Sequence, residues 1–269
     1  MKNWSMLPVE CISHIISLTS PGDACRSALV STVFREAADS DFVWRSFLPQ
    51  DINQIISKSL FPSQSSLNSI SIKDLYFHLR IRHQHIILDG NMSFALEEKM
   101  GKKCFMIGAR GLSIAGLGEE EDALGYWRWT TVPASRFCEV AELKNVLGLD
   151  IKAHIKTKML SPGTTYAAYF VYQLLAYRYG FARTPIEFRV TREQSRVEAA
   201  YHGVVLDPSA ASPRAQYRGD GWMEVEMGEF FIKEEEGDNA SVECSVREAS
   251  GTKSGLLVEG IELRPKFNM

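Results

Sequence analysis

Gly125-Tyr126-Trp127-Arg128-Trp129-Thr130 places two of the chain's five tryptophans at i and i+2. On a strand those positions share a face, so both indoles stand side by side, with Tyr126 and Arg128 on the opposite face. Paired indoles either fill a β core or form a platform on which a planar or sugar-like ligand stacks. Well before this stretch the apolar residues recur at helical spacing. After it they alternate. The fold therefore divides into a helical first part and a β second part.

The 269 residues are 45% hydrophobic and 23% charged, ordinary globular values that give both parts enough material for a core. A formal net charge of −3 argues against a nucleic-acid binder. Five cysteines, Cys11, Cys25, Cys104, Cys138 and Cys244, are widely spaced with no Cys-x-x-Cys. That pattern reads as reduced thiols in the cytoplasm or nucleus, with neither a disulfide framework nor a zinc site. No basic segment followed by a long apolar run opens the chain, so no leader is expected. The longest apolar run, Tyr166 to Tyr177, is too short to span a bilayer.

Residues 5 to 49 read as a small helical unit. Pro8 suits a first helical turn, and Val9, Ile12, Ile15 and Ile16 follow at helical spacing. Ser20-Pro21-Gly22-Asp23 breaks that helix, with Asp23 placed to cap the next. Ala24, Cys25, Ala28 and Leu29 stripe a second helix, and Val33, Phe34, Ala37 and Ala38 a third. Ser40-Asp41 caps a last turn carrying Val43, Trp44 and Phe47. A unit this small rarely stands alone without disulfides, metal or a partner. Part of its apolar surface therefore goes either to a partner or to the second part of the chain.

Leu7-Pro8-Val9-Glu10, Ile12, Ile15-Ile16, Asp23-Ala24-Cys25-Arg26, Ala28-Leu29-Val30-Ser31, Phe34-Arg35 and Trp44-Arg45-Ser46-Phe47-Leu48-Pro49 together resemble an F-box. The resemblance implies docking on the Skp adaptor of a cullin-RING ubiquitin ligase. The implied docking residues are Leu7, Pro8, Ile12, Leu29, Val30 and Trp44.

Residues 50 to 90 read as a connector, with a serine-rich loop over 57 to 71 and a short helix capped near Ser71. Beyond Ile86 the period is two. Ile151, Ala153 and Ile155 alternate with Lys152, His154 and Lys156, giving a strand with one core face and one wet face. Further strands are expected over 165–177, 186–190, 222–232, 241–248 and 256–263. Strands without long intervening helices suggest an antiparallel sandwich.

Gly101-Lys102-Lys103-Cys104-Phe105-Met106, Leu112-Ser113-Ile114, Tyr126-Trp127-Arg128-Trp129, Gly221-Trp222-Met223-Glu224-Val225-Glu226 and Gly255-Leu256 through Arg264-Pro265-Lys266 resemble the plant phloem protein 2 domain. With the F-box, this is similar to the plant F-box proteins of the phloem protein 2 type. The resemblance implies binding of N-acetylglucosamine-containing glycans by tryptophans near the start of the domain and acidic residues further on. The matching positions are Trp127, Trp129, Trp222, Glu224 and Glu226, with Glu229 close by. One departure stands out. Where many relatives carry a further tryptophan, this chain has Gly116, followed by the acidic stretch Glu119-Glu120-Glu121-Asp122. Half of the implied platform is missing, and the alternative role for Trp127 and Trp129 is core packing.

Other chemistry is absent from the pattern. Gly116-x-Gly118 precedes four acids rather than a helix, so it is no dinucleotide fingerprint. No carboxylate is singled out as a glycosidase acid.

The expected architecture is multidomain α + β. An F-box over 1–49 and the connector over 50–90 precede an antiparallel, jelly-roll-like β-sandwich of lectin type over 91–269. The expected function is target recognition within an Skp–cullin–F-box ligase, without catalysis, metal or cofactor. The expected partners are the Skp adaptor, cullin through it, and a target protein with or without sugar, but neither nucleic acid nor membrane. The alternative is a nucleocytoplasmic lectin whose F-box is incidental.

Overall fold

The computed structural model describes residues 7–80, 85–117, 125–192, 201–207, 214–235 and 240–266. It divides into two compact units, one of residues 1–89 and 94–103, the other of 90–93 and 104–269.

In the first unit, α1 (Val9–Ser17), α2 (Pro21–Ser27), α3 (Thr32–Ala38) and α4 (Asp41–Phe47) follow the expected order. The α2 cap differs from expectation. Ser20, not Asp23, is the N-cap, because Pro21 fills the first helical position, where its missing N–H costs nothing. Asp23 sits one turn in. Its backbone N–H donates to Ser20 Oγ at 3.1 Å, and the Ser20 hydroxyl donates back to Asp23 Oδ2 at 2.7 Å, so the two side chains hold the helix start together. In α1 and α3, Ile12, Ile16 and Ala37 are buried, and Ser13 Oγ ties α1 to Ala37 O at 3.0 Å.

Residues 50–89 fold with these helices. They contribute α5 (Ile52–Ser57), β1 (Ser59–Phe61), α6 (Gln64–Asn68), α7 (Ile72–Arg80) and β2 (Ile86–Leu88). The serine-rich stretch expected as loop thus holds a short strand and a short helix, anchored by buried Leu67. The cap expected at Ser71 is present: the Asp74 N–H donates to Ser71 Oγ at 3.0 Å. From α7, Tyr76 and Phe77 lie 5.3 and 5.1 Å from the Trp44 ring. Lys103, nearly buried, is neutralised by Asp51 at 2.8 Å. Strand β3 (Met92–Leu96) runs where the chain passes between the two units.

The second unit is built around one long strand. The strands are β4 (Lys103–Gly108), β5 (Ser113–Ile114), β6 (Trp127–Thr130), β7 (Val140–Leu143), β8 (Val146–Lys156), β9 (Thr164–Tyr179), β10 (Ile186–Arg192), β11 (Tyr201–Val204), β12 (Ala215–Tyr217), β13 (Met223–Ile232) and β14 (Ser241–Pro265). The first half of β14 pairs with β8 and β10, and β5 and β11 extend that sheet on either side. The second half of β14 pairs with β9 on one side and with β7 and β4 on the other. Beyond β9 come β13 and β12, and beyond β7 comes β6. All of these pairings are antiparallel. The two sheets, sharing β14, pack as a sandwich with Phe170 of one 5.8 Å from Phe188 of the other.

Strand β14 changes sheets near Gly255, at φ 76°, where a Cβ would come within 2.8 Å of the Arg178 backbone. Only glycine fits there. The expected alternation in β8 holds: Ile151, Ala153 and Ile155 are buried, and His154 and Lys156 are exposed.

Candidate functional site

The docking residues implied for the helical unit separate into two sets. Leu29 and Val30 close the turn after α2 and are 79% and 68% exposed, while Leu7 and Pro8 are exposed just before α1. Ile15, Leu18 and Phe42 are exposed as well. Ile12 and Trp44 are corrected: both are buried inside the unit. The Trp44 indole N–H donates to Ala38 O at 2.8 Å, and its ring packs on Tyr76, Phe77 and Phe47. A residue so enclosed shapes the surface without being part of it.

The implied sugar residues do not form one site either. Directly opposite residues of paired strands share a face. Trp129 faces Ala141, Ala141 faces Val258, and Val258 faces Tyr172. Tyr172 stacks on Phe170 at 5.7 Å in the sandwich interior, so Trp127 and Trp129 lie on the inner face. Trp127 is 2% exposed and is core, as the packing alternative expected. Glu226 faces Tyr169, one residue out of step with Phe170, and so lies on the outer face. Four strand spacings separate β6 from β13, about 19 Å. Trp222 is also corrected. It is buried, and its indole N–H donates to Ala134 O at 3.1 Å, anchoring the β6–β7 connection.

What the outer face does hold is a polar cleft of about 610 Å³, lined by Tyr169, Arg214, Gln216, Glu224, Glu226, Glu229 and Arg264. Glu224 accepts from Arg264 at 2.7 Å and from Arg218 at 2.8 Å. Glu226 accepts from the Tyr169 hydroxyl at 3.2 Å and from Lys266 at 2.8 Å, and Lys266 reaches Glu229 at 2.6 Å. The Arg264 guanidinium lies 3.7 Å over the Tyr169 ring. The hydrogen bonds that Lys266 donates to Glu226 and Glu229 raise its pKa, keeping that ammonium charged.

Beneath the cleft, Glu262 is ringed by Arg218 at 2.7 Å, Arg136 at 3.1 Å and Arg264 at 3.4 Å. Burial pushes the Glu262 carboxyl up, but the three guanidiniums prevail and hold it well below the usual carboxylate range. Arg218 also contacts Asp220 and Glu224 and is itself nearly buried, so the cleft floor is fixed. The lining thus offers charge-balanced acceptors and donors in place, with the Tyr169 ring face already covered. Such a lining suits a neutral ligand rich in hydroxyls, held by hydrogen bonds rather than by stacking.

Of the residues in and under this cleft, Glu224, Glu226 and Glu229 are among those singled out in the sequence, and Tyr169, Gln216, Arg218 and Arg264 are not. Arg264-Pro265-Lys266 was visible only as part of a terminal motif. The outward alternation of Glu262 and Arg264 on the last strand was the available signal.

A helical unit with exposed apolar anchors, followed by an antiparallel sandwich with a polar cleft, defines a two-module binding protein. The sequence comparisons give the family. Residues 4–50 match the F-box-like model and residues 102–265 match phloem protein 2. F-box protein PP2-B10 of Arabidopsis thaliana is 38% identical over 264 residues, covering 96% of this chain and 92% of that one. F-box protein VBF of the same plant is 33% identical over 289 residues, covering 97% and 99%. The chain belongs to the F-box proteins that carry a phloem protein 2 domain. Among solved structures, a family 35 carbohydrate binding module from Clostridium thermocellum is similar over 60% of this chain and 96% of that one, at a TM-score of 0.35 and 14% identity.

Proposed function

We propose that this chain is the target-binding subunit of an Skp–cullin–F-box ubiquitin ligase. The observation that carries this reading is the exposure of Leu29 and Val30, adjacent apolar side chains at 79% and 68% in a unit whose core is already complete. Paired apolar residues left in water are anchors awaiting a partner's groove. Leu7 and Pro8 add to the same docking set, and Ile12 and Trp44 hold its shape from within. The adaptor brings the cullin, and the sandwich holds the target near the charged ubiquitin-conjugating enzyme. The chain does no covalent chemistry of its own; tethering raises the effective concentration of the target at the reactive thioester. It works in the cytoplasm or nucleus, in keeping with its five free cysteines.

The target is held through the outer-face cleft. Its hydroxyl-type chemistry fits glycans containing N-acetylglucosamine, with Glu226 and Glu229 as acceptors and Gln216 and Arg214 at the exposed rim.

The test is affinity capture from plant extract with the proteasome inhibited. The wild-type chain is expected to bring down adaptor and cullin, and Leu7→Ala with Pro8→Ala to lose both. Unchanged capture by that variant overturns the ligase reading. Loss of glycan capture in Glu226→Gln with Glu229→Gln, with adaptor capture intact, supports the cleft.

A further inference from the structure

On the outer face of the sandwich, away from the cleft, exposed side chains are held in place from beneath. Glu142 of β7 faces Leu257, and Leu257 faces Gln173, one residue out of step with inward Tyr172, so Glu142 points outward. Its side chain is nevertheless 3% exposed. Arg128 of β6 and Lys144 donate to it at 2.8 and 2.6 Å, and so does the hydroxyl of Tyr177 from β9. Burial pushes the Glu142 carboxyl up, but these hydrogen bonds outweigh it and hold the group below its usual value. The donors lie at the surface. The Arg128 side chain is 54% exposed, Tyr177 is 55% exposed, and Tyr179, two residues further along the same face of β9, is 66% exposed. Side chains in water ordinarily swing between rotamers; here one buried carboxylate fixes three of them, so much of their ordering cost is met before a partner arrives. Tyrosine and arginine are also the residues enriched where proteins meet. Two cations on one carboxylate leave an excess of one positive charge. Tyr177 stands eight residues beyond Tyr169 on β9, about 26 Å from the cleft.

We propose that Arg128, Lys144, Tyr177 and Tyr179 form a docking surface for an acidic segment of a partner protein. The partner's carboxylates meet the N–H groups that Arg128 and Lys144 turn to solvent, and its apolar side chains lie on the two tyrosine rings. Charge decides the class of partner. One excess positive charge, on a chain of net charge −3, neutralises too few phosphates to hold a nucleic acid. It suits a short peptide that brings one or two carboxylates. The surface goes beyond the cleft and does not depend on it. A target that carries both a glycan and an acidic segment engages the two sites at once, and tethering then multiplies their affinities.

The test follows the fluorescence anisotropy of a fluorescein-labelled peptide of alternating Glu and Leu as the full chain is added, beside the same peptide with Gln for Glu. Wild type is expected to bind the Glu peptide and to release it as salt rises. Arg128→Gln with Lys144→Gln is expected to weaken binding about tenfold, the scale of two exposed ion pairs. Tyr177→Phe keeps the ring and removes only the hydroxyl that anchors it; it is expected to weaken binding about threefold at an unchanged melting temperature. Glu142→Gln separates a fixed surface from plain charge attraction. It makes the patch more positive but unties Arg128 and Lys144, so affinity is expected to fall. No binding by wild type, equal affinity in Arg128→Gln with Lys144→Gln, or stronger binding by Glu142→Gln overturns the proposal. Equal binding of the Gln peptide, or tighter binding of a single-stranded DNA of the same length, overturns the acidic segment as the partner. Glu226→Gln with Glu229→Gln is expected to bind the peptide like wild type. Loss of the peptide in that variant puts it in the cleft and overturns the second surface, while glycan capture reads the cleft separately.

Discussion

At the scale of single residues, exposure decides between a role in binding and a role in shape. Leu29 and Trp44 enter the same motif, yet one is 79% exposed and the other 1%. Trp44→Ala is expected to cost about 3–5 kcal/mol, as truncation of a buried aromatic does, and thermal melting of the full chain checks it. Leu29→Ala touches no core and is expected to shift stability by less than about 0.5 kcal/mol while weakening adaptor capture. Gly116 gives a second case. Its φ is 80°, in the left-handed region, and a Cβ would meet the Tyr126 ring at 3.4 Å. Gly116→Trp is therefore expected to destabilise by about 1–3 kcal/mol, through backbone strain, and to gain no chitotriose binding in calorimetry.

At the scale of elements, β14 carries the most weight, because both sheets depend on it. Where it turns from one sheet to the other, Glu248 and Lys253 form an ion pair, with side chains 4% and 1% exposed. Burial raises the Glu248 pKa, but hydrogen bonds from Lys253 and Ser250 outweigh it and leave the carboxyl below its usual value. Lys253→Met would strand that carboxylate without its partner and is expected to cost about 3–5 kcal/mol in urea unfolding. A cost near zero would mean that the bend tolerates an unpaired charge. The strands themselves were legible wherever one face is core and the other wet, as in β8. The turn of β14 was not, since the sequence 241–265 reads as two strands separated by Gly251 and Gly255 rather than one that changes partners. The site was half legible for a related reason. Alternation tells that Glu224 and Glu226 share a face, but only cross-strand pairing tells that Trp127 and Trp129 point the other way. Of the two arginines that hold Glu224, Arg264 was signalled only by its alternation with Glu262 on the last strand, and Arg218 carried no local signal.

At the scale of the whole molecule, buried charge under the cleft couples stability to pH. Glu262 has a folded pKa depressed far below its ordinary 4.5. A depressed acid contributes stability that is complete above its unfolded pKa and is lost as pH falls toward the folded value. The stability difference between wild type and Glu262→Gln is therefore expected to be constant above about pH 5 and to shrink below it, by up to about 1.4 kcal/mol per pH unit. Urea unfolding between pH 3 and 7 checks this, and parallel curves would count against a charged Glu262. No helix among the described residues is long and apolar enough to cross a membrane. The two-module organisation was legible as a change of apolar period, and the F-box and phloem protein 2 matches agree with it. The most direct test of the account is calorimetric titration of the purified Skp adaptor into the full chain, wild type against Leu29→Asp with Val30→Asp. The account predicts a saturable interaction in wild type, lost in the variant at unchanged melting temperature. Equal affinity for both proteins would contradict it.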